Sequence, residues 1–308
     1  MNAYFPRIPI AKANVLFGGP VRNVEPTIYA EVSNLFQALG QFHSVQCLVI
    51  ESDSEDQTLQ ELERLKTDFP HFDYISVGNL RNKMSLRTDR IAFCRNHIRK
   101  QLLSNPRYDQ IDYVMMADLD GMNHLINQSS IAQCWQTPED WDVLTANQTH
   151  YYYDTWTLRH PDWSPMDCWH QKWALDKLIG EDAAMNLALN AKQCRLPPDK
   201  GLIEVDSAFG GLGIYKKPVF MAAEYAGTDD QGREVSDHIP FHAKLRQQGF
   251  RIFINSALLN CDQHMGAPTH LQQKKISPFF RGLRALLLAK LGKRRLNKYL
   301  DHLKAEEG

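Results

Sequence analysis

Two carboxylates spaced two residues apart, Asp118 and Asp120, close the apolar run Tyr113 to Ala117 in the stretch IDYVMMADLDGMN. The run is short and apolar throughout, which predicts a strand buried on both faces. Side chains at i and i+2 of a strand point to the same side, so the two acids can converge on one hard cation and its waters. Oxygen ligands suit Mg²⁺ or Mn²⁺, and open α/β sheets hold ligands beyond the carboxyl ends of their strands. The competing use of the same residues is a solvated turn in which Asp caps the next segment. His264 follows the last predicted strand, where it can return to the metal as a third protein ligand.

Other groups able to do chemistry lie on both sides of this stretch. Arg87, Arg90 and Arg95, with Asn96 beside the last, fall close to helical spacing in SLRTDRIAFCRNHIRKQLL. A guanidinium fork matches the oxygens of a diphosphate, although a basic helix face is more often simply solvated. Asp53, in the polar run after the second predicted strand, can hydrogen-bond a nucleotide base or ribose, or cap the following helix. All six tryptophans lie between Trp135 and Trp173, with Tyr151, Tyr152 and Tyr153 among them. Aromatic faces there can stack on sugar rings while Asp154 and Arg159 hold hydroxyls. The alternative is a small hydrophobic subcore under a loop-rich insertion.

In GLIEVDSAFGGLGIY, Glu204 and Asp206 precede Gly210-Gly211, which interrupts what reads as one strand. Glycine there marks a bulge or the close approach of another group, such as a sugar, to the backbone. Asp237 opens a helix in SDHIPFH, where a carboxylate in the first turn is also favoured by the helix dipole.

The elements that must position these groups alternate strand and helix. Strands are expected at Ala13 to Phe17, Ser44 to Glu51, Phe72 to Val77, Tyr113 to Ala117, Trp141 to Ala146 and Phe250 to Asn255. Helices are expected at Pro26 to Leu39, after the Ser52–Asp56 run to Lys66, at Ser85 to Leu103 and at Ile131 to Trp135. That alternation predicts an α/β fold with a mainly parallel, Rossmann-like central sheet and helices on both faces. FGGPVRN after the first strand, with Arg22 in it, begins a mononucleotide-binding arrangement but lacks the dinucleotide G-x-G-x-x-G signature.

Composition is that of an ordinary globular protein, 43% hydrophobic and 23% charged over 308 residues. The net charge of -1 divides unevenly: Lys274 to Gly308 holds ten Lys/Arg against three Asp/Glu. In that tail, from Pro278 to Lys298, an apolar stripe runs beside a basic one, the pattern of a helix lying on an anionic membrane surface. Six scattered cysteines without a C-x-x-C pair read as reduced thiols and a cytoplasmic setting. There is no signal-peptide pattern at the start and no apolar run of membrane-spanning length.

The ordered set Arg90…Arg95-Asn96, YVMMADLDG, YYDTWTLR, EVDSAFGGLGIY and DHIPFH resembles GT-A-fold glycosyltransferases. Within them it looks most like the capsule-associated α-1,3-mannosyltransferase family of fungi and its bacterial relatives, over roughly residues 12 to 265. The resemblance implies that the D-x-D pair binds Mn²⁺ or Mg²⁺ on a nucleotide-sugar diphosphate. Asp120 would then be the direct ligand and Asp118 a ribose or water-mediated partner.

On this reading residues 1–270 form the transferase domain, with an acceptor-side insertion at about 148–200, and 271–308 form a basic amphipathic helical tail. The donor (GDP-mannose or a UDP-sugar) lies near Arg22, Asp53, Arg90, Arg95, Asn96, Asp118, Gly210 and Gly211. Asp118, Asp120 and His264 hold the metal, and Tyr153, Asp154, Trp156 and Arg159 meet a glycan or glycolipid acceptor. Asp237 is the preferred general base, with Glu204 or Asp206 behind it, or these acids orient the sugar if the reaction retains configuration.

The expected role is in polysaccharide, capsule or lipopolysaccharide synthesis at the inner face of the membrane, with no nucleic-acid partner. Two alternatives share parts of this pattern: a sugar-nucleotide nucleotidylyltransferase, and a non-catalytic carbohydrate-binding protein at the membrane.

Overall fold

The computed structural model describes residues 4–262. His264 and the basic tail at 271–308, and with them the expected third metal ligand and membrane contact, lie outside the described residues. The first half of the chain alternates β1 (Asn14–Val21), α1 (Ile28–Ala38), β2 (Ser44–Glu51), α2 (Thr58–Asp68), β3 (Phe72–Ser76), α3 (Arg87–Ser104), β4 (Tyr113–Ala117), α4 (Gln128–Trp135) and β5 (Val143–Gln148). The second half holds α5 (Cys168–Ile179), α6 (Glu181–Ala188), β6 (Leu202–Val205), β7 (Leu212–Lys216), α7 (Lys217–Met221), α8 (His238–Gln247) and β8 (Ile252–Cys261).

The strands are apolar on both sides because each side has its own helical cover. Val15 and Phe17 of β1, Cys47 and Val49 of β2, and Tyr113, Met115 and Ala117 of β4 join a core with Val32 and Leu35 of α1, Leu62 of α2 and Ile131 of α4. The alternate residues Leu16, Leu48, Ile50, Val114 and Met116 face Ala92 and Ile98 of α3, Phe220 of α7 and Phe241 of α8. Period-two alternation thus feeds two cores at once, and each fully buried Leu or Ile adds about 1.5–3 kcal/mol.

All eight strands form one sheet in the order β3-β2-β1-β4-β7-β5-β8-β6. β1 pairs in parallel with β2 and β4, β2 with β3, and β5 with β8. Only β7, antiparallel to β4 and β5, and β6, antiparallel to β8, run the other way. The expected mainly parallel α/β sheet with helices on both faces is therefore present.

Three sequence expectations are corrected. The stretch 201–215 is not one strand interrupted by glycine. It is two strands, β6 at the sheet edge and β7 in the middle, joined by a segment that crosses between them. β1 runs on through Gly18-Gly19-Pro20; its pairing with β4 ends at Gly18, so the missing N–H of Pro20 falls where no ladder bond is needed. β8 continues to Cys261, with register shifts against β5 beyond Thr145, and so carries Asn260 inward beneath the Asp118–Asp120 turn.

Between β5 and β6 lies the aromatic insertion, built on α5 and α6. Asp167 caps α5 by accepting from the backbone of Trp169 (2.9 Å) and His170 (3.0 Å). The tryptophans divide by role. Trp135 and Trp141 pack edge to face beside Tyr113 in the main core. Trp156, Trp169 and Trp173 form a chain of rings 6.4 and 6.3 Å apart, and Trp173 is half exposed.

Candidate functional site

The strand β4 ends at Ala117, so Asp118 and Asp120 stand in the turn that follows and not on one face of a strand. The turn is fixed from several sides. The Asp118 amide donates to the Gly211 carbonyl at 2.9 Å, joining β4's end to the start of β7. Leu119 is buried in the core while Asp120 is exposed. Glu31, buried on α1, accepts from the backbone amides of Gly121 and Asn123 and from Asn123 Nδ2. A carboxylate receiving two amides closes this turn much as a capping residue closes a helix end.

Burial, opposed by those hydrogen bonds, pushes the Glu31 carboxyl up to about 7. The sequence gives no sign of this role, since a glutamate on an amphipathic helix reads as solvated. It occupies the core-facing stripe Ile28, Glu31, Val32, Leu35, all buried.

From Glu31 a chain of buried amides runs under the turn. Asn123 Nδ2 also donates to the Asp118 carbonyl (2.7 Å), and Asn123 Oδ1 accepts from Asn260 Nδ2 (3.1 Å). Asn260 and Gln148 both donate to the Gly210 carbonyl at 2.9 Å. Gly210 and Gly211 have φ of +66° and +87°, where a side chain is strained. A Cβ on Gly210 would stand 2.8 Å from the Ala146 carbonyl oxygen, and one on Gly211 would stand 3.3 Å from Asn260. The groups that closely approach these two glycines are therefore protein atoms.

Arg95, 4% exposed, is the electrostatic centre of the site. Its Nη1 donates to both oxygens of Asp237 (2.6 and 2.7 Å), and its Nη2 to Asp118 Oδ1 (3.0 Å). The guanidinium also lies over the rings of Phe209 (4.9 Å) and Tyr225 (5.7 Å). Burial opposes its charge, but Asp237 and Asp118 outweigh that and raise its pKa. For Asp237, burial outweighs Arg95 and leaves the carboxyl above its ordinary value. Asp237 is the N-cap residue of α8, yet its side chain makes no cap bond and turns to Arg95 instead.

The residues expected near a nucleotide divide. Arg22 is close enough to Arg81, Arg87, Arg90 and Asp53 to feel their charges. Burial, then these three neighbouring guanidinium groups, lower the pKa of Arg22, while Asp53 raises it. Asp53 does not cap α2, whose Thr58 amide is taken by Asp56 (3.0 Å). It has φ +60° and accepts from the Arg81 amide at 2.9 Å. Asn96 lies elsewhere, its amide group closed on the backbone of Tyr225 by two 2.9 Å bonds.

On the opposite side, Asp154 accepts from the amides of Gly210 (3.0 Å) and Thr157 (3.2 Å). Burial pushes the Tyr153 hydroxyl well up, and the charges of Asp154, Asp118 and Asp120 push it the same way. The indole N–H of Trp156 is buried without a hydrogen-bond partner. Arg159 is tied down by the carbonyls of Trp156 (2.9 Å) and Leu158 (2.8 Å) and by Asp167 (2.6 Å). Glu204 and Asp206 stand on or beside the edge strand β6, paired with Arg246 and, for Glu204, with Arg251. The structure does not bring them to the Asp118–Asp120 turn.

A divalent cation suits the chemistry of that turn. Asp120 has no ion-pair partner among the described residues; only its own backbone amide donates to it. Although the residue as a whole is exposed, partial desolvation of its carboxyl and then the Asp118 charge push that group up to about 6. Asp118 has one oxygen on Arg95, which leaves the other for a ligand. Among the described residues no group of three or more His, Cys, Asp or Glu side chains comes together as a metal site. A cation here would complete its shell with water and substrate phosphates, as Mg²⁺ commonly does.

No protein-family model and no curated protein matches this sequence. Solved structures similar to it include a mannosyltransferase from Pyrobaculum calidifontis in complex with GDP-Man and Mn²⁺, with 14% identity, 88% of this chain and 64% of that chain covered, and a TM-score of 0.46. S. aureus TarS 1-349 in complex with UDP-GlcNAc matches at 12% identity over 91% of this chain and 66% of that one, with a TM-score of 0.46. Glucosyl-3-phosphoglycerate synthase from Mycobacterium tuberculosis, with Mn²⁺, UDP and phosphoglyceric acid, matches at 12% identity over 94% and 85%, with a TM-score of 0.43. The chain thus spans less than two thirds of the length of the first two. All three scores lie below 0.5, and the functional reading rests on the site itself.

Proposed function

We propose that this chain is a GT-A-type glycosyltransferase that moves a sugar from a nucleoside-diphosphate sugar to an acceptor hydroxyl with the help of Mn²⁺ or Mg²⁺. One observation carries the reading. Asp118 and Asp120 lie in the turn beyond the carboxyl end of the central strand β4, Asp118 held by Arg95 and Asp120 without an ion-pair partner among the described residues. A cation held there neutralises charge on a departing diphosphate. The guanidinium cluster lies at the ends of β1 to β3, where open α/β sheets receive nucleotides. Tyr153, Asp154 and Trp156 occupy the other side, where an acceptor sugar can meet an aromatic surface.

In this reading Asp237 holds Arg95, and through it Asp118; to act as a base it would first have to leave a buried ion pair. The resemblance to α-1,3-mannosyltransferases favours GDP-mannose or a UDP-sugar as donor and a glycan or lipid-linked acceptor of surface polysaccharide, capsule or lipopolysaccharide.

The test is thermal unfolding with UDP, GDP, CDP and CMP, each with and without Mn²⁺, for the wild type and Asp120→Ala. Stabilisation by one nucleoside diphosphate that depends on Mn²⁺, and is lost in Asp120→Ala, is the expected result. Equal shifts with and without the metal overturn it. Incubation with the sugar nucleotide should release nucleoside diphosphate; conversion to nucleoside triphosphate and sugar 1-phosphate, only when pyrophosphate is added, would instead identify a nucleotidylyltransferase.

A further inference from the structure

A buried pair of hydroxyls joins the two sides of the site. Thr157 Oγ1 and Ser236 Oγ meet at 2.9 Å, and both residues are buried. Each is linked to an acid of the site. The Thr157 amide donates to Asp154 Oδ1 (3.2 Å), and Ser236 directly precedes Asp237. Asp154 Oδ2 accepts from the Gly210 amide (3.0 Å), and the next carbonyl, that of Gly211, accepts from the Asp118 amide (2.9 Å). Asp118 bonds Arg95, and Arg95 bonds Asp237. The contacts therefore close a ring that leaves Asp118 through Arg95 and returns to it through Gly211.

The segment that delivers Ser236 is fixed at both ends. The Gly227 carbonyl accepts from Thr88 Oγ1 in the first turn of α3 (2.9 Å), and the Asp89 amide lies so close that Gly227 has no room for a Cβ. The Glu234 carbonyl accepts from His170 Nε2 of α5 at 3.1 Å. The two ends of the Asp154 carboxylate are anchored differently. Gly210 is held by Asn260 and Gln148, both 2.9 Å from its carbonyl, whereas the side-chain anchor at the Thr157 end is Ser236.

We propose that Thr157 and Ser236 are positioning residues for sugar transfer: their hydroxyl pair aims Asp154 at the acceptor hydroxyl, in a fixed relation to the metal turn. The proposal rests on the glycosyltransferase reading, in which Asp154 meets the acceptor. One amide on each carboxylate oxygen leaves lone pairs on both for that hydroxyl. Asp118 keeps Arg95 and the Gly211 carbonyl with or without the hydroxyl pair, so metal and nucleotide binding do not need it. Aim matters more to rate than to affinity, since a misplacement of about 1 Å can cost on the order of a hundredfold in turnover.

The experiment compares the full chain with Thr157→Val, Thr157→Ser and the double variant Thr157→Val with Ser236→Ala, which leaves neither hydroxyl buried without a partner. Affinity for UDP and GDP in Mn²⁺ is measured beside steady-state release of nucleoside diphosphate from GDP-mannose and UDP-GlcNAc, with water as acceptor. In both valine variants kcat is expected to fall about tenfold or more, while KM and nucleotide affinity stay within about twofold. Thr157→Ser, which keeps the hydroxyl, should restore most of kcat. If kcat in the valine variants stays within about twofold of wild type, the positioning role is overturned and the glycosyltransferase reading stands. If kcat and nucleotide affinity decline together, or the serine variant is as slow as the valine one, the hydroxyl pair is only structural and the proposal fails. A wild type that releases no diphosphate from either sugar nucleotide overturns the glycosyltransferase reading, and the proposal with it.

Discussion

Arg95 and Asp237, 142 residues apart in the chain, form a buried pair at 2.6 and 2.7 Å, and the same guanidinium reaches Asp118 at 3.0 Å. The orientation of Asp118 is therefore set by an arginine that a second, buried acid holds in place. The pair couples α3, the end of β4 and the start of α8 in a single electrostatic unit.

Arg95→Ala should destabilise the protein by about 3–5 kcal/mol, because Asp237 would be left buried without its partner. Replacing the pair together, Arg95→Met with Asp237→Leu, should recover most of that stability. It should not recover Mn²⁺-dependent nucleotide binding, since Asp118 would still lack its anchor. Chemical denaturation with parallel titrations separates the two effects; full recovery of binding in the double variant would show that Arg95 has no positioning role.

Proton competition should govern metal binding at the turn. A cation needs Asp120 ionised, and its carboxyl is pushed up to about 6. Apparent Mn²⁺ affinity should be level above that pH and fall by about tenfold per unit below it. In the metal-free protein the sign is opposite: a raised carboxyl pKa favours the fold at low pH, and that contribution fades as pH rises through about 6. Mn²⁺ titrations between pH 5 and 8 check this; an affinity that holds steady to the acid end would contradict it.

Two glycines of similar φ, Gly210 at +66° and Gly201 at +69°, separate strain from crowding. A Cβ at Gly201 meets nothing within 4 Å, whereas at Gly210 it meets the Ala146 carbonyl oxygen and Gln148. Gly201→Ala should cost about 1–3 kcal/mol, because its backbone (φ +69°, ψ −143°) lies in a region almost reserved for glycine. Gly210→Ala should cost clearly more and also weaken Mn²⁺ binding, because Asp154, Asn260 and Gln148 all bond that residue. Equal melting temperatures for the two variants would refute the crowding argument.

His242 is fully buried and neutral, with Nδ1 on Ser207 Oγ (2.9 Å) and Nε2 on Tyr215 OH (3.0 Å). Burial, aided by Arg95, pushes its pKa down to about 3. The unfolded chain takes up that proton below about 6.5 and the native state does not, so stability is full above that pH and falls on acidification. The decline from this residue between pH 6.5 and 3 is about 5 kcal/mol. His242→Gln should flatten the slope of unfolding free energy against pH; an unchanged slope would assign acid sensitivity elsewhere.

The sheet was largely legible because its strands are short, mostly apolar runs bounded by polar or glycine-rich segments. Ser44–Glu51 matches β2 residue for residue. The order of β6 and β7 was not legible, because Glu204 to Tyr215 reads locally as one strand and only the tertiary position of Gly210-Gly211 divides it. At the site, the acids after β4 stood out against their apolar run. Glu31 did not, since nothing local distinguishes a buried helical glutamate from a solvated one. Arg95 and Arg87 share a helix and a residue type, so which guanidinium faces inward depends on α8, far along the chain.

The placement of β7 bears on how the molecule is made. β4 and β5 are consecutive strands, yet they become neighbours only through a strand that leaves the ribosome more than fifty residues after β5 ends. Until then both present unsatisfied hydrogen-bonding edges, a hazard for intermolecular pairing. A nascent chain halted before Gly211 would have the acids of the Asp118–Asp120 turn but neither the Gly211 carbonyl that fixes them nor a closed sheet beneath. Such truncations should need chaperones to stay soluble, and the site is assembled late in synthesis.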